Sequence, residues 1–269
     1  MRLGICCSPG SVEGGSLSER AQKLQGVLRE AGADYFEMGV GSVMGEDFDE
    51  LEAALRPLEL KCEAFNSFVP AQHRLTGEGV DHRTALEYCA LALSRCRKIG
   101  GSVVVLGSAG ARKVPAGFSP ERALEQFTQF CRALGPVAAN EGMMIAIEPL
   151  NSREDNLILS VEDGARLVDE VRHPSIQLLA DLFHMVAENQ SVESVARAGK
   201  RLVHTHLASS SRVPPGTQAD DSAPYAAFFD ACRRAGYDAR CSYEGTIHDL
   251  SSDSRTLIGF LRPLLAAGA

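Results

Sequence analysis

Residues Met143 to Asn151 read MMIAIEPLN, an apolar run that ends in a carboxylate, Glu148, followed at once by Pro149. A run that short and that apolar has the form of a buried strand. Pro149 has no N–H to give to a ladder, so the strand stops where Glu148 emerges. Carboxylates at the C-terminal tips of buried parallel strands are the positions from which α/β barrels do their chemistry. The fold therefore turns on whether other strands of this chain end alike.

Outward from this stretch the same unit recurs. Strands are expected at 2–7, 35–40, 61–66 and 102–106 on one side, and at 176–181, 202–207 and 239–244 on the other. Between the first two, Ser16-Leu17-Ser18-Glu19 has the form of a capping box, Leu17, Ala21, Leu24, Val27 and Leu28 recur at helical spacing, and Gly32 stops the helix. Further helices are expected at 46–58, 82–99, 120–140, 161–171, 191–198, 224–235 and 252–265. Eight strands alternating with eight helices, without a low-complexity linker, predict one closed parallel (β/α)8 barrel of the TIM type over residues 1–269. The regularity of the eight units favours closure over a doubly wound open sheet.

The length of 269 residues suits such a barrel, which runs to about 200–250 residues as one unit. A formal net charge of -8 argues against nucleic acid as a partner, since duplex binding needs a basic face. It leaves room for a small anion held by one or two arginines. The eight cysteines form no CxxC pair and mostly sit in apolar contexts, as reduced, buried thiols do. The opening MRLGICCSPG is broken too soon by Pro9 and Gly10 to act as a secretory signal. No stretch approaches the roughly 18 apolar residues of a membrane span, so the expected location is the cytoplasm, with no membrane partner.

Four successive expected strands end in chemistry: the fifth in Glu148, the sixth in Asp181, the seventh in His204-Thr205-His206 and the eighth in Glu244. Any one of them alone reads as a helix cap or a surface ion pair. Together on one rim they repel and desolvate one another, and a cation offsets that. A mostly oxygen set with one nitrogen suits Mn²⁺, Mg²⁺ or Co²⁺ and is less distinctive for Zn²⁺. Alternation puts His204 and His206 on the same side of their strand, so periodicity does not choose between them.

These residues also carry a family resemblance. IEPLN with Glu154 shortly after it, DLFHM at 181–185, HTHLASSSR at 204–212 and YEG at 243–245 resemble the xylose-isomerase-like barrels, and within them the ketose 3-epimerase and hydroxypyruvate isomerase branch. The resemblance runs from the first strand to the eighth, with the specific motifs in the second half. It implies Glu148, Asp181, His206 and Glu244 as ligands of one divalent ion, foremost Mn²⁺, and so selects His206 over His204. It implies Glu154, His184 and Arg212 as groups that hold substrate oxygens, and a homodimer or homotetramer.

A metal on a ketone oxygen and the adjacent hydroxyl stabilises the enediolate formed when the neighbouring C–H is deprotonated. Glu148 and Glu244, on opposite sides of the sugar, would remove the proton from one face and return one to the other. The expected activity is thus an isomerase or epimerase of a ketose or related keto-sugar acting through a cis-enediolate. A lyase or dehydratase of a keto-sugar, keto-cyclitol, keto-acid or oxidised glycoside uses the same intermediate, and a non-catalytic sugar-binding or partner subunit is the reading of another class. An abasic-site nuclease would need further metal ligands and a basic surface.

The chain departs from its family at the mouth. It has no Trp, where ketose epimerases usually place aromatics near the first and fourth strands; it offers Cys6-Cys7-Ser8 and Gly107-Ser108-Ala109-Gly110 instead. That smaller-walled mouth speaks against a free ketohexose. Arg112 and Lys113 could bind a carboxylate or phosphate or form a solvated turn. Glu37, Glu63 and Asn66 lie near the expected tips of the second and third strands, and loops 67–80 and 208–223 are expected as lids or dimer contacts.

Overall fold

All eight expected strands form, and each pairs in parallel with its neighbours in sequence order: β1 (Arg2–Cys6), β2 (Tyr35–Gly39), β3 (Cys62–Asn66), β4 (Val103–Leu106), β5 (Met144–Ile147), β6 (Ile176–Asp181), β7 (Leu202–Leu207) and β8 (Arg240–Tyr243). β8 closes on β1, with Arg2 opposite Arg240 and Ile5 opposite Tyr243. This computed structural model describes residues 1–217 and 223–267. It is a closed (β/α)8 barrel, as expected; part of the 208–223 loop lies outside the described residues.

Around the barrel run α1 (Leu17–Ala31), α2 (Phe48–Leu55), α3 (His82–Lys98), α4 (Ala109–Arg112), α5 (Pro120–Asn140), α6 (Val161–Val171), α7 (Leu182–Ala187), α8 (Glu193–Ala198), α9 (Tyr225–Arg234) and α10 (Leu250–Ala266). The capping box of α1 is present as read: Ser16 Oγ accepts from the Glu19 N–H, and the Glu19 carboxylate accepts from the Ser16 N–H. Helices α4 and α7 were not expected. At four and six residues they are too short to show a helical period, and α7 is capped by the Asp181 side chain at the tip of β6, which accepts from the Phe183 N–H (2.8 Å).

The two-residue period of the strands sorts the interior into layers. Tyr35, Ala64, Val103, Val105, Ala146 and Leu179 form an apolar cluster of their own, apart from the larger core between strands and helices. Two residues further along, the same faces carry Glu37, Asn66, Glu148 and Asp181; His206 and Glu244 follow His204 and Ser242 in the same way. A polar layer thus sits directly above a mostly apolar one, which His204 and Ser242 interrupt on the β7–β8 side. Register shifts interrupt β2–β3 between Phe36 and Glu37 and β6–β7 between Leu178 and Leu179, next to two of the carboxylates that they help to aim.

Glu63 is not near that layer. It pairs with Arg2 and with Arg240 (3.2 Å), the first residues of β1 and β8, at the opposite end of the barrel. The expected place for it at a strand tip is thereby corrected: Ala64 and Asn66 take the inward positions nearer the rim, and Glu63 precedes them at the N-terminal end of β3, where the register shift against β2 falls.

Candidate active site

Glu148, Asp181, His206 and Glu244 each offer one ligand atom, and these atoms all lie within 4.8 Å of one another. Each follows from the end of its own strand. Asp181 is the last residue of β6 and His206 the next to last of β7, while Glu148 and Glu244 each stand one residue past β5 and β8. His206 Nδ1 is 3.2 Å from a Glu148 oxygen and 3.4 Å from a Glu244 oxygen. Space for Glu148 is made by Gly107 at the end of β4, where a Cβ would stand 2.2 Å from Glu148 Oε2.

The other face of His206 is held from below. Its Nε2 lies 3.0 Å from Glu37 Oε1, and Glu37 Oε2 also faces His204 Nε2 (2.9 Å) and accepts from Ser242 Oγ (2.6 Å). Ser242 in turn meets the Tyr35 hydroxyl at 2.7 Å. A buried carboxylate on one imidazole nitrogen turns the other towards the carboxylates above, the arrangement that orients a histidine ligand. His204, whose candidacy alternation alone left open, belongs to this lower layer.

The electrostatics match a site built for a cation. Burial pushes Glu148 and Asp181 above the usual carboxylate range. Burial acts on Glu37 and Glu244 too, but the adjacent imidazoles outweigh it and both are held down. Burial would lower His206, yet Glu37 and Glu244 raise it well above its ordinary value; His204 is lowered by burial to about 4. Three carboxylates and one imidazole therefore crowd one point, and a divalent ion among them fits both the donor types and the charge. Cys6 forms a second close group with Glu37 and His206, but burial pushes its thiol up, which makes it a poor ligand.

His184 is buried on α7. Its Nδ1 accepts from the Asn151 backbone N–H (3.1 Å) and faces the Asn151 side-chain amide (2.8 Å), so its partners assign the ring proton to Nε2, which lies 3.5 Å from Asp181 Oδ2. Asn151 also donates to Glu154 (3.0 Å), and Glu154 accepts from Arg212 (3.1 Å). The structure thus brings Glu154, His184 and Arg212 together through Asn151, for which the sequence reading had no role. Asn66 donates to Glu244 Oε1 (3.0 Å) and holds that carboxylate from the β3 side.

These groups open on a cavity of about 360 Å³, lined among others by Ser67, Ser108, Glu148, His184, Arg212 and Glu244. Three of its residues, Ser67 (φ 54°), Ser108 (φ 40°) and Arg212 (φ 57°), hold left-handed backbone without being glycine. Such strain collects where side chains must be aimed.

Arg112 does not face the cavity. Wholly buried, it donates to Asp155 (2.8 Å), the Leu106 carbonyl (3.0 Å) and the Glu148 carbonyl (2.8 Å). It ties the ends of β4 and β5 together and is not an anion receptor. Lys113 is exposed, its Nζ 3.5 Å from the Glu154 carbonyl.

A closed parallel barrel whose rim gathers three carboxylates and an imidazole at one point has the build of a cation-dependent barrel enzyme. The chain belongs to the Xylose isomerase-like TIM barrel family, which it matches over residues 26–264. The 3-dehydro-D-guloside 4-epimerase of Escherichia coli K12 is 26% identical over 251 residues, 87% of this chain and 91% of that protein. The L-ribulose 3-epimerase of Methylomonas sp. DH-1 is 34% identical over 112 residues, 41% of this chain and 38% of that protein. In fold, the chain is similar to the D-psicose 3-epimerase of Clostridium cellulolyticum H10, with a TM-score of 0.84 at 20% identity over 98% of this chain and 99% of that one. No helix among the described residues is long and apolar enough to cross a membrane.

Proposed function

We propose that the chain is a divalent-cation-dependent epimerase of keto-sugars acting through a cis-enediolate, with Glu148, Asp181, His206 and Glu244 as the metal ligands. The observation that carries this reading is the pair Glu148 and Glu244: both reach His206 Nδ1, one from the end of β5 and the other from the end of β8, and both face one cavity. A bound divalent ion would hold the substrate's carbonyl and adjacent hydroxyl oxygens and stabilise the negative charge that develops on them. One of the two glutamates takes the proton from the carbon beside the carbonyl, and the other returns a proton to the opposite face. Return to the neighbouring carbon would give an aldose–ketose isomer.

Glu154, His184 and Arg212 are the substrate-holding groups in this reading. Its support is that they line the same cavity and that Asn151 fixes two of them at once. The oxygen-rich donor set favours Mn²⁺, with Mg²⁺, Co²⁺ and Zn²⁺ as substitutes. The relatives named above are epimerases of ketoses or of a keto-glycoside, which supports a keto-sugar substrate, free or glycosidic. They lend no support to the lyase or the non-catalytic reading. A cytoplasmic homo-oligomer completes the proposal.

The test is proton exchange. Metal-loaded protein in D₂O with a panel of keto-sugars should place deuterium beside the carbonyl, and chelation should stop it. Glu148→Gln and Glu244→Gln should each slow exchange by about 10²–10⁴-fold. Undiminished exchange in both variants would remove their acid–base role.

A further inference from the structure

Beside the cavity that holds the convergent carboxylates lies another of about 320 Å³, lined among others by Asn151, Glu154, Phe183, Val186, Ala187 and Ser210. Asn151 and Glu154 come from the segment after β5, Phe183, Val186 and Ala187 from α7, and Ser210 from the segment after β7. Glu154 lines both cavities. Between them stands the Arg212 guanidinium, 3.9 Å from the centre of the Phe183 ring and 3.1 Å from Glu154 Oε1.

This partition is anchored through its backbone. The Arg212 carbonyl accepts from the Tyr243 hydroxyl (2.9 Å) and from the Thr246 N–H (2.7 Å), which hold the residue in its left-handed conformation. A ring placed against Glu148 and Glu244 therefore reaches Glu154 and Arg212 on one side. A group linked to that ring on the same side points past Glu154, which the two cavities share, towards the second.

The walls there mix carbon with polar groups, and the exposed Arg153 adds a cation at the edge. Phe183, Val186 and Ala187 offer carbon, and Asn151, Glu154 and Ser210 offer an amide, a carboxylate and a hydroxyl. That mixture receives a second ring, its flat face on carbon and its edge on polar groups. The second cavity is nearly as large as the first, so it suits a ring rather than a methyl group. The first cavity, by contrast, has no aromatic wall of Phe or Tyr among the described residues: small residues line it at Gly107, Ser108 and Ala109, and its apolar contacts come from Val69, Pro70 and Leu150.

We propose that the second cavity is a subsite for a ring-sized group O-linked to the keto-sugar, so that the preferred substrate is a keto-glycoside and not a free ketose. The proposal rests on the epimerase reading of the first cavity. The chemistry stays the same: one C–H bond beside the ring ketone breaks and re-forms on the opposite face, with no net oxidation and no change at the glycosidic bond.

The experiment compares kcat/KM of the metal-loaded enzyme for phenyl, glucosyl and methyl keto-hexopyranosides and for free ketohexoses, read by NMR, in the wild type and in two cavity-filling variants, Ala187→Trp and Val186→Phe. The wild type should favour the ring-bearing glycosides over the methyl glycoside and the free ketoses by about tenfold or more. Each variant should shrink that ratio by about tenfold while its thermal midpoint shows it folded. Equal kcat/KM across the panel, or a preference that survives both variants, overturns the subsite. Turnover without arm preference leaves the epimerase reading standing, whereas absence of deuterium exchange on every sugar removes both.

Discussion

Glu37 is wholly buried on β2 and meets His204, His206 and Ser242 at once. A glutamine there keeps the shape but brings an NH₂ where a carboxylate oxygen faced a donor, so one of those hydrogen bonds is lost and His206 is freed to turn. Glu37→Gln should weaken divalent-ion binding by about 10–100-fold, measured by chelator competition. Undiminished affinity would mean that His206 is oriented by its own strand alone. In the sequence Glu37 reads as one charged residue in an apolar strand, and its direction was hidden because the register shift beside it is a property of the β2–β3 pair. Glu148, Asp181 and Glu244 are legible for the opposite reason: each closes a strand-like run, and chain order alone makes their strands neighbours, whereas only the family resemblance selects His206 over His204.

At the scale of elements, the ends of β4 and β5 depend on a contact between residues 43 positions apart, Arg112 and Asp155. Both side chains are wholly buried, so Arg112→Met leaves a carboxylate with no counter-charge. The expected loss is about 3–5 kcal/mol in urea unfolding, and a loss below about 1 kcal/mol would mean that Asp155 finds another partner. In the sequence this arginine reads as an anion receptor or as part of a solvated turn, because it belongs to a basic pair in a glycine-bearing loop and nothing local announces a partner so far along the chain. At the other end of the barrel, Glu63 is held below its ordinary 4.5: burial would raise it, but Arg2 and Arg240 outweigh that. A depressed carboxylate contributes stability above its unfolded value, and that contribution is lost as pH falls through the folded one. Glu63→Gln should therefore cost about 1 kcal/mol at pH 7, and the gap to wild type should close below pH 4.5. A gap that stays constant in acid would place its origin in packing instead.

Over the whole molecule, chemistry and stability occupy opposite ends of one barrel. The rim carries carboxylates that crowd one another, and the far end carries the compensated Arg2–Glu63–Arg240 group. A divalent ion at the rim binds the folded chain alone, so at a hundred times its dissociation constant it should add about 2.7 kcal/mol. That corresponds to a rise of roughly 5 °C in the thermal midpoint, reversed by chelator and absent in Asp181→Asn. A midpoint indifferent to the metal in the wild type would show that these side chains do not bind it.

Gly245 has a part in how this rim can be altered. A Cβ there would stand 2.3 Å from the Tyr243 hydroxyl and 2.6 Å from the Arg212 carbonyl, so only glycine lets Tyr243 reach back across the corner to the loop that carries Arg212. The arginine dividing the cavities and the carboxylate of Glu244 are thereby mounted on a single hinge-free bracket. Loop grafting at this rim has to move both halves of that bracket together, because a transplanted segment after β7 without its matching corner after β8 would leave Arg212 unmoored.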